Sequence, residues 1–174
     1  MKQKKANNLS EMDRRKAVFL DRDGTLNNNG NHYYIWRVED FELNPGVEET
    51  LRELMQRGYM LFVVTNQGGI SKGLYTREET ETLHTQLQGM LEEKGLSLIE
   101  VLYCPHHPDH ENCLCRKPLP LLIQKALARY DLDPAESWMV GDARRDVEAG
   151  LEAGLQTLRV QPNGDLRKIL DRIH

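Results

Sequence analysis

An α/β fold built on a parallel sheet with helices on both faces is predicted by three features of this 174-residue sequence. From Ala17 onward, short apolar runs alternate with amphipathic stretches, as β-α-β units require when a sheet is covered on both sides. Several of those runs lead into Asp, Thr or Gly, at the edge where open parallel sheets hold their ligands. A hydrophobic content of 39% in a chain of this length fills one core rather than two. The expectation is a Rossmann-like sheet in a single domain over residues 16–174.

Residues 1–15 are polar, rich in Lys, Asn and Gln, and lack an apolar period, so burial cannot offset the entropy of ordering them. They are expected to form a flexible tail. Residues 17–20 and 60–64 read as buried strands. Between them Asn44-Pro45 reads as a helix start, with Val47, Leu51, Leu54 and Met55 on one face and Gly58 as the stop. Thr76 and Glu79 have capping-box spacing, after which Leu83, Leu87 and Leu91 recur every four residues until Gly95. Residues 98–103 follow as the third strand, 120–130 as a helix, 138–140 as the fourth strand and 143–153 as a helix closed by Gly154. Residues 156–160 make a fifth, edge strand. Leu166, Ile169, Leu170 and Ile173 then lie at helical spacing behind Asp165, predicting a closing helix over 165–173. These elements consume the intervals between the strand-end motifs and leave no room for a separate cap domain.

Charge and composition exclude some functions. The net charge of −4 offers no field for a polyanion, so no nucleic-acid partner is expected. No apolar run approaches the roughly 20 residues that span a bilayer, and no signal-peptide core follows the basic N-terminus. The expectation is a cytoplasmic protein without a membrane partner, acting as a monomer.

The first strand runs into Asp21-Arg22-Asp23-Gly24-Thr25, and acids two residues apart on an extended chain face the same way. The second leads to Thr65-Asn66-Gln67-Gly68-Gly69, where a hydroxyl, backbone N–H groups and glycines suggest a phosphate cradle. Arg116-Lys117-Pro118 precedes a helix, and the fourth strand ends in Gly141-Asp142. All three cysteines, Cys104, Cys113 and Cys115, fall in one segment with His106, His107 and His110. A Cys-x-His and a Cys-x-Cys pair can supply four tetrahedral ligands to a structural zinc ion, with His107 and His110 as competitors for the imidazole position.

In order and spacing these motifs resemble the haloacid dehalogenase superfamily, through Asp21-x-Asp23-Gly24-Thr25, Thr65, Lys117 and Gly141-Asp142-x-x-x-Asp146. The resemblance implies a capless, Mg²⁺-dependent phosphomonoester hydrolase working through an aspartyl-phosphate. Asp21 is then the nucleophile and Asp23 the general acid and base, while Thr65 and Lys117 neutralise phosphoryl oxygens. Asp21, Asp142 and the Asp23 carbonyl are the implied Mg²⁺ ligands. Asp146 is implied either to orient Lys117 or a metal-bound water, or to sit as a favourable charge in the first turn of a helix. Within the superfamily, Thr65-Asn66-Gln67, Gly69-Ile70, Cys104-Pro105-His106-His107-Pro108 and Cys113-x-Cys115-Arg116-Lys117-Pro118 look like the heptose 1,7-bisphosphate 7-phosphatases, which act on a small phosphorylated sugar of bacterial surface glycans. That resemblance implies Asn66, Gln67 and Arg116 as substrate-binding residues and Cys104, His106, Cys113 and Cys115 as zinc ligands. Histidinol-phosphate phosphatases are the nearest alternative, followed by polynucleotide 3′-phosphatases and a non-catalytic phosphate-binding module. Residues 27–36, with Tyr33, Tyr34 and Trp36, are left to shield the open site, either stacking on a sugar or covering core.

Overall fold

The computed structural model describes residues 15–30 and 32–174. Residues 1–14 of the expected tail, and Asn31, lie outside the described residues.

Five parallel strands form one sheet: β1 (Lys16–Leu20), β2 (Tyr59–Asn66), β3 (Glu100–Cys104), β4 (Trp138–Gly141) and β5 (Gln156–Arg159). Their order across the sheet is β3-β2-β1-β4-β5. Because β1 is central, its residues 17–20 are wholly buried, which explains the unbroken apolar run in place of alternation. The four helices are α1 (Val47–Gln56), α2 (Arg77–Glu92), α3 (Leu121–Tyr130) and α4 (Arg144–Glu152). One face of the sheet receives Leu51 and Leu54 of α1 and Leu87 and Leu91 of α2. The other receives Leu122, Ile123 and Ala126 of α3 and Ala149 of α4. Each fully buried leucine contributes about 1.5–3 kcal/mol.

The capping box of α2 forms as its spacing predicts: the Thr76 side chain accepts from the Glu79 N–H at 3.1 Å, and the Glu79 carboxylate accepts from the Thr76 N–H at 2.7 Å. Two expectations change. The Asn44-Pro45 start moves to Gly46, at φ 75°, and the Asn44 side chain instead donates its N–H to the Thr25 carbonyl at 3.0 Å. The helix expected over 165–173 is only a 3₁₀ turn, Leu166–Ile169. Asp165 caps it by accepting from the Arg167 N–H, and Leu166, Ile169 and Ile173 are buried. Arg57 Nη1, however, donates to the carbonyls of Leu170 and Ile173 at 2.8 and 2.5 Å, which ties the last turn to the end of α1.

Candidate active site

The strand-end motifs meet at the carboxyl edge of the sheet. Asp21 directly follows β1, and its N–H donates to the Val140 carbonyl of β4 at 2.9 Å. Its buried Oδ1 accepts from Lys117 Nζ at 2.7 Å. The same ammonium lies 2.7 Å from Asp146 Oδ1 and donates to the Val64 carbonyl at 2.5 Å. Two of its protons are thus donated to Asp21 and Val64, and Asp146 stands beside it as an ion-pair partner. Lys117 is therefore buried against Asp21, the residue the resemblance implies as nucleophile. Burial pushes the Asp21 carboxyl up to about 7, against the pull of Lys117 and with a push from Asp146. Burial also opposes the Lys117 cation, but Asp21 and Asp146 outweigh it and hold the ammonium above the ordinary lysine value.

Carboxylate oxygens of Asp21, Asp142 and Asp146 lie within 4.8 Å of one another. Asp21 and Asp146 thus share one ammonium, and burial, then Asp146, raises Asp142 as well. Asp142 Oδ1 is buried with no hydrogen-bond partner among the described residues. Gly24, at φ +85°, makes room for this carboxylate: a Cβ there would stand 2.7 Å from Asp142 Oδ2. Asp146 is already engaged, since its Oδ2 accepts from the Ala143 N–H at 2.9 Å. It thus serves both the helix start and Lys117. The free oxygens of Asp21 and Asp142, and the surplus negative charge, fit a hard divalent cation such as Mg²⁺.

A cavity of about 410 Å³ opens above these acids, lined by Asp21, Asp23, Thr65, Asn66, Arg116 and Asp142. Thr65 Oγ1 accepts from Gln67 Nε2 at 2.8 Å, which leaves its O–H free to donate into the cavity. Asn66 reaches the wall, yet its amide pairs with the Lys117 backbone in both directions at 3.0 Å. Arg116 Nη1 donates to the His106 carbonyl at 2.9 Å, tying the cysteine loop to the cavity wall. Gln67 departs from its expected place in the pocket. It is buried behind Asp23, donating to Asp23 Oδ2 at 2.9 Å and accepting from Tyr75 O–H at 2.8 Å. Gly69 makes room for the Tyr75 ring, which a Cβ would meet at 2.1 Å, and Gly68 for Arg116 and His107.

Asn29 and His32, within the 27–36 segment expected to shield the site, also line the cavity, and so does Arg145 in the first turn of α4, which sequence reasoning missed. The position of Arg145 three residues after Asp142 was the available signal. Tyr33, 85% exposed, and Tyr34 line the mouth, while Trp36 stacks on Tyr75 away from it.

Cys104, His106, Cys113 and Cys115 present ligand atoms within 4.8 Å of one another. The Cys104 and Cys113 sulfurs are 3.7 Å apart, and His106 Nδ1 lies 3.5 Å from Cys104 Sγ and 3.2 Å from Cys115 Sγ. A tetrahedral zinc with bonds of about 2.3 Å to sulfur needs sulfur pairs about 3.8 Å apart; the Cys104–Cys113 pair meets this, and the Cys104–Cys115 pair, at 3.2 Å, has to open to admit the ion. His107 instead pairs with Asp109 at 3.3 Å.

A family model described as haloacid dehalogenase-like hydrolase matches residues 10–160. The D-glycero-beta-D-manno-heptose-1,7-bisphosphate 7-phosphatase of Haemophilus ducreyi is 40% identical over 149 residues, covering 82% of this chain and 81% of its own. The D-glycero-alpha-D-manno-heptose-1,7-bisphosphate 7-phosphatase of Photorhabdus laumondii is 36% identical over 146 residues, 80% and 79% of the two chains. Among solved structures, the D,D-heptose 1,7-bisphosphate phosphatase from B. bronchiseptica, complexed with magnesium and phosphate, superposes with a TM-score of 0.78 at 32% identity, covering 90% of this chain and 86% of that one.

Proposed function

The chain belongs to the haloacid dehalogenase-like hydrolases as a phosphatase, and from that premise we propose that it removes the 7-phosphate of D-glycero-D-manno-heptose 1,7-bisphosphate. The observation that carries the reading is a buried Asp21 at the cavity floor, held 2.7 Å from Lys117 and beside the unpartnered Asp142 carboxylate.

Asp21 attacks phosphorus, and the sugar oxygen leaves as the aspartyl-phosphate forms. Asp23 protonates that oxygen and then takes a proton from the water that hydrolyses the acyl phosphate. Lys117 keeps Asp21 aimed, and the Thr65 hydroxyl donates to a phosphoryl oxygen. When bound, Mg²⁺ held by Asp21, Asp142 and the Asp23 carbonyl neutralises charge on the transferring phosphate. Arg116 and Arg145 stand at the cavity wall as partners for the second phosphate. A zinc ion in the Cys104, His106, Cys113, Cys115 cluster is structural, because four protein ligands leave no open position.

The test is kcat/KM for both anomers of heptose 1,7-bisphosphate, histidinol phosphate and a 3′-phosphorylated oligonucleotide. The heptose substrates are expected to lead, and Asp21→Asn to lose at least ~10³-fold. A lead for histidinol phosphate overturns the substrate, and full turnover by Asp21→Asn overturns the mechanism.

A further inference from the structure

We propose that Arg22, the residue between the two acids, is a positioning residue that ties the segment 32–36 at the cavity mouth to the Asp23 carboxylate. Arg22 is 0% exposed, a cation taken wholly out of water, and every arm is used. Nε and Nη2 donate to Asp23 Oδ1 at 3.1 and 3.0 Å, and Nη2 to Oδ2 at 2.9 Å. Nη2 also donates to the Ile35 carbonyl at 2.5 Å, and Nη1 donates to His84 Nε2 at 3.0 Å. Burial, then Arg22, pulls His84 down to about 3, which leaves its ring neutral and able to accept.

A second path joins the same two places. Tyr34 and Trp36 flank Ile35 and pack on the Tyr75 ring, whose hydroxyl reaches Asp23 through Gln67. Asp23 is held mainly by Arg22, through Nε and through one Nη2 proton shared between its two oxygens, and also by Asn27 and Gln67. Its angle toward the leaving oxygen and the height of the aromatic segment over the cavity are therefore set together. A planar fork spans a carboxylate and a carbonyl at once; a lysine ammonium at the end of a flexible stem does not reproduce that.

The inference rests on Asp23 as the proton donor, and the experiment separates the two. Arg22→Lys and Asp23→Ala are assayed with an alkyl phosphomonoester, whose leaving oxygen needs a proton, and with 4-nitrophenyl phosphate, whose leaving group does not. Arg22→Lys is expected to lower kcat by about 30-fold or more on the alkyl ester but less than about 5-fold on the aryl ester. Equal losses on both esters, or none, overturn the Arg22 assignment when Asp23→Ala still discriminates between them. If Asp23→Ala does not discriminate, it is the reading of Asp23 that fails. Hydrogen exchange decides independently, whether or not Arg22→Lys folds. The amides of residues 32–36 should exchange about 10-fold faster in Asp23→Ala and at the wild-type rate in Asp21→Ala, and unchanged exchange in Asp23→Ala overturns the tie.

Discussion

Asn66 pairs both ends of its amide with the Lys117 backbone, and Lys117 Nζ in turn donates to Asp21 and Val64 and lies 2.7 Å from Asp146. The aim of the nucleophile thus depends on a side chain that fixes the backbone carrying Lys117. Asn66→Ala is expected to lower kcat by about 10- to 100-fold with KM nearly unchanged, because displacements of about 1 Å cost that much; steady-state kinetics on the best substrate check it. Asp21, Asp23, Thr65, Lys117 and Asp142 are legible in the sequence because each stands at a strand end or helix start that hydrophobic patterning locates. Arg22 and Gln67 are not legible as supports. Their partners His84 and Asp23 lie 62 and 44 residues away in the chain, and a side chain's direction at a turn is set by what packs against it.

Helix α2 shows how far local signals reach. Its capping box forms from four consecutive residues, as spacing alone predicts. Thr76→Ala is expected to cost about 1 kcal/mol, read as a lower urea midpoint with unchanged slope. The cysteine loop makes a longer-range element: Arg116 links it to the cavity through the His106 carbonyl, and Lys117 follows immediately. Cys113→Ser is expected to lose bound zinc and most phosphatase activity together, measured by metal analysis and turnover on the same sample. Full activity without zinc would separate loop from site. The C-terminal segment shows where periodicity misleads. Its apolar spacing does mark the buried residues, but Arg57, 113 residues upstream of Leu170, takes carbonyls at its end, and only a 3₁₀ turn forms.

Across the whole molecule, the buried His84 couples stability to pH. Its folded value of about 3 lies below the usual 6.5, so as pH falls below 6.5 the unfolded chain takes up the proton first and the fold loses stability, continuing down to about 3. Between pH 7 and 5 this one group costs about 2 kcal/mol. His84→Gln, which keeps an acceptor for Arg22, is expected to show that much less acid sensitivity in urea unfolding at the two pH values, and identical pH dependence would rule the group out. No helix among the described residues is long and apolar enough to cross a membrane. The sequence by itself determined the alternation of elements, the two buried faces of the sheet and the ends where reactive groups gather, because burial imposes its period locally. Tertiary structure alone decided that Lys117 is buried between Asp21, Asp146 and the Val64 carbonyl, that Gln67 turns inward and that Arg22 grips both Asp23 and the loop. Those choices balance desolvation of a charge against partners brought from distant segments, and neither side of that balance exists until the chain has folded.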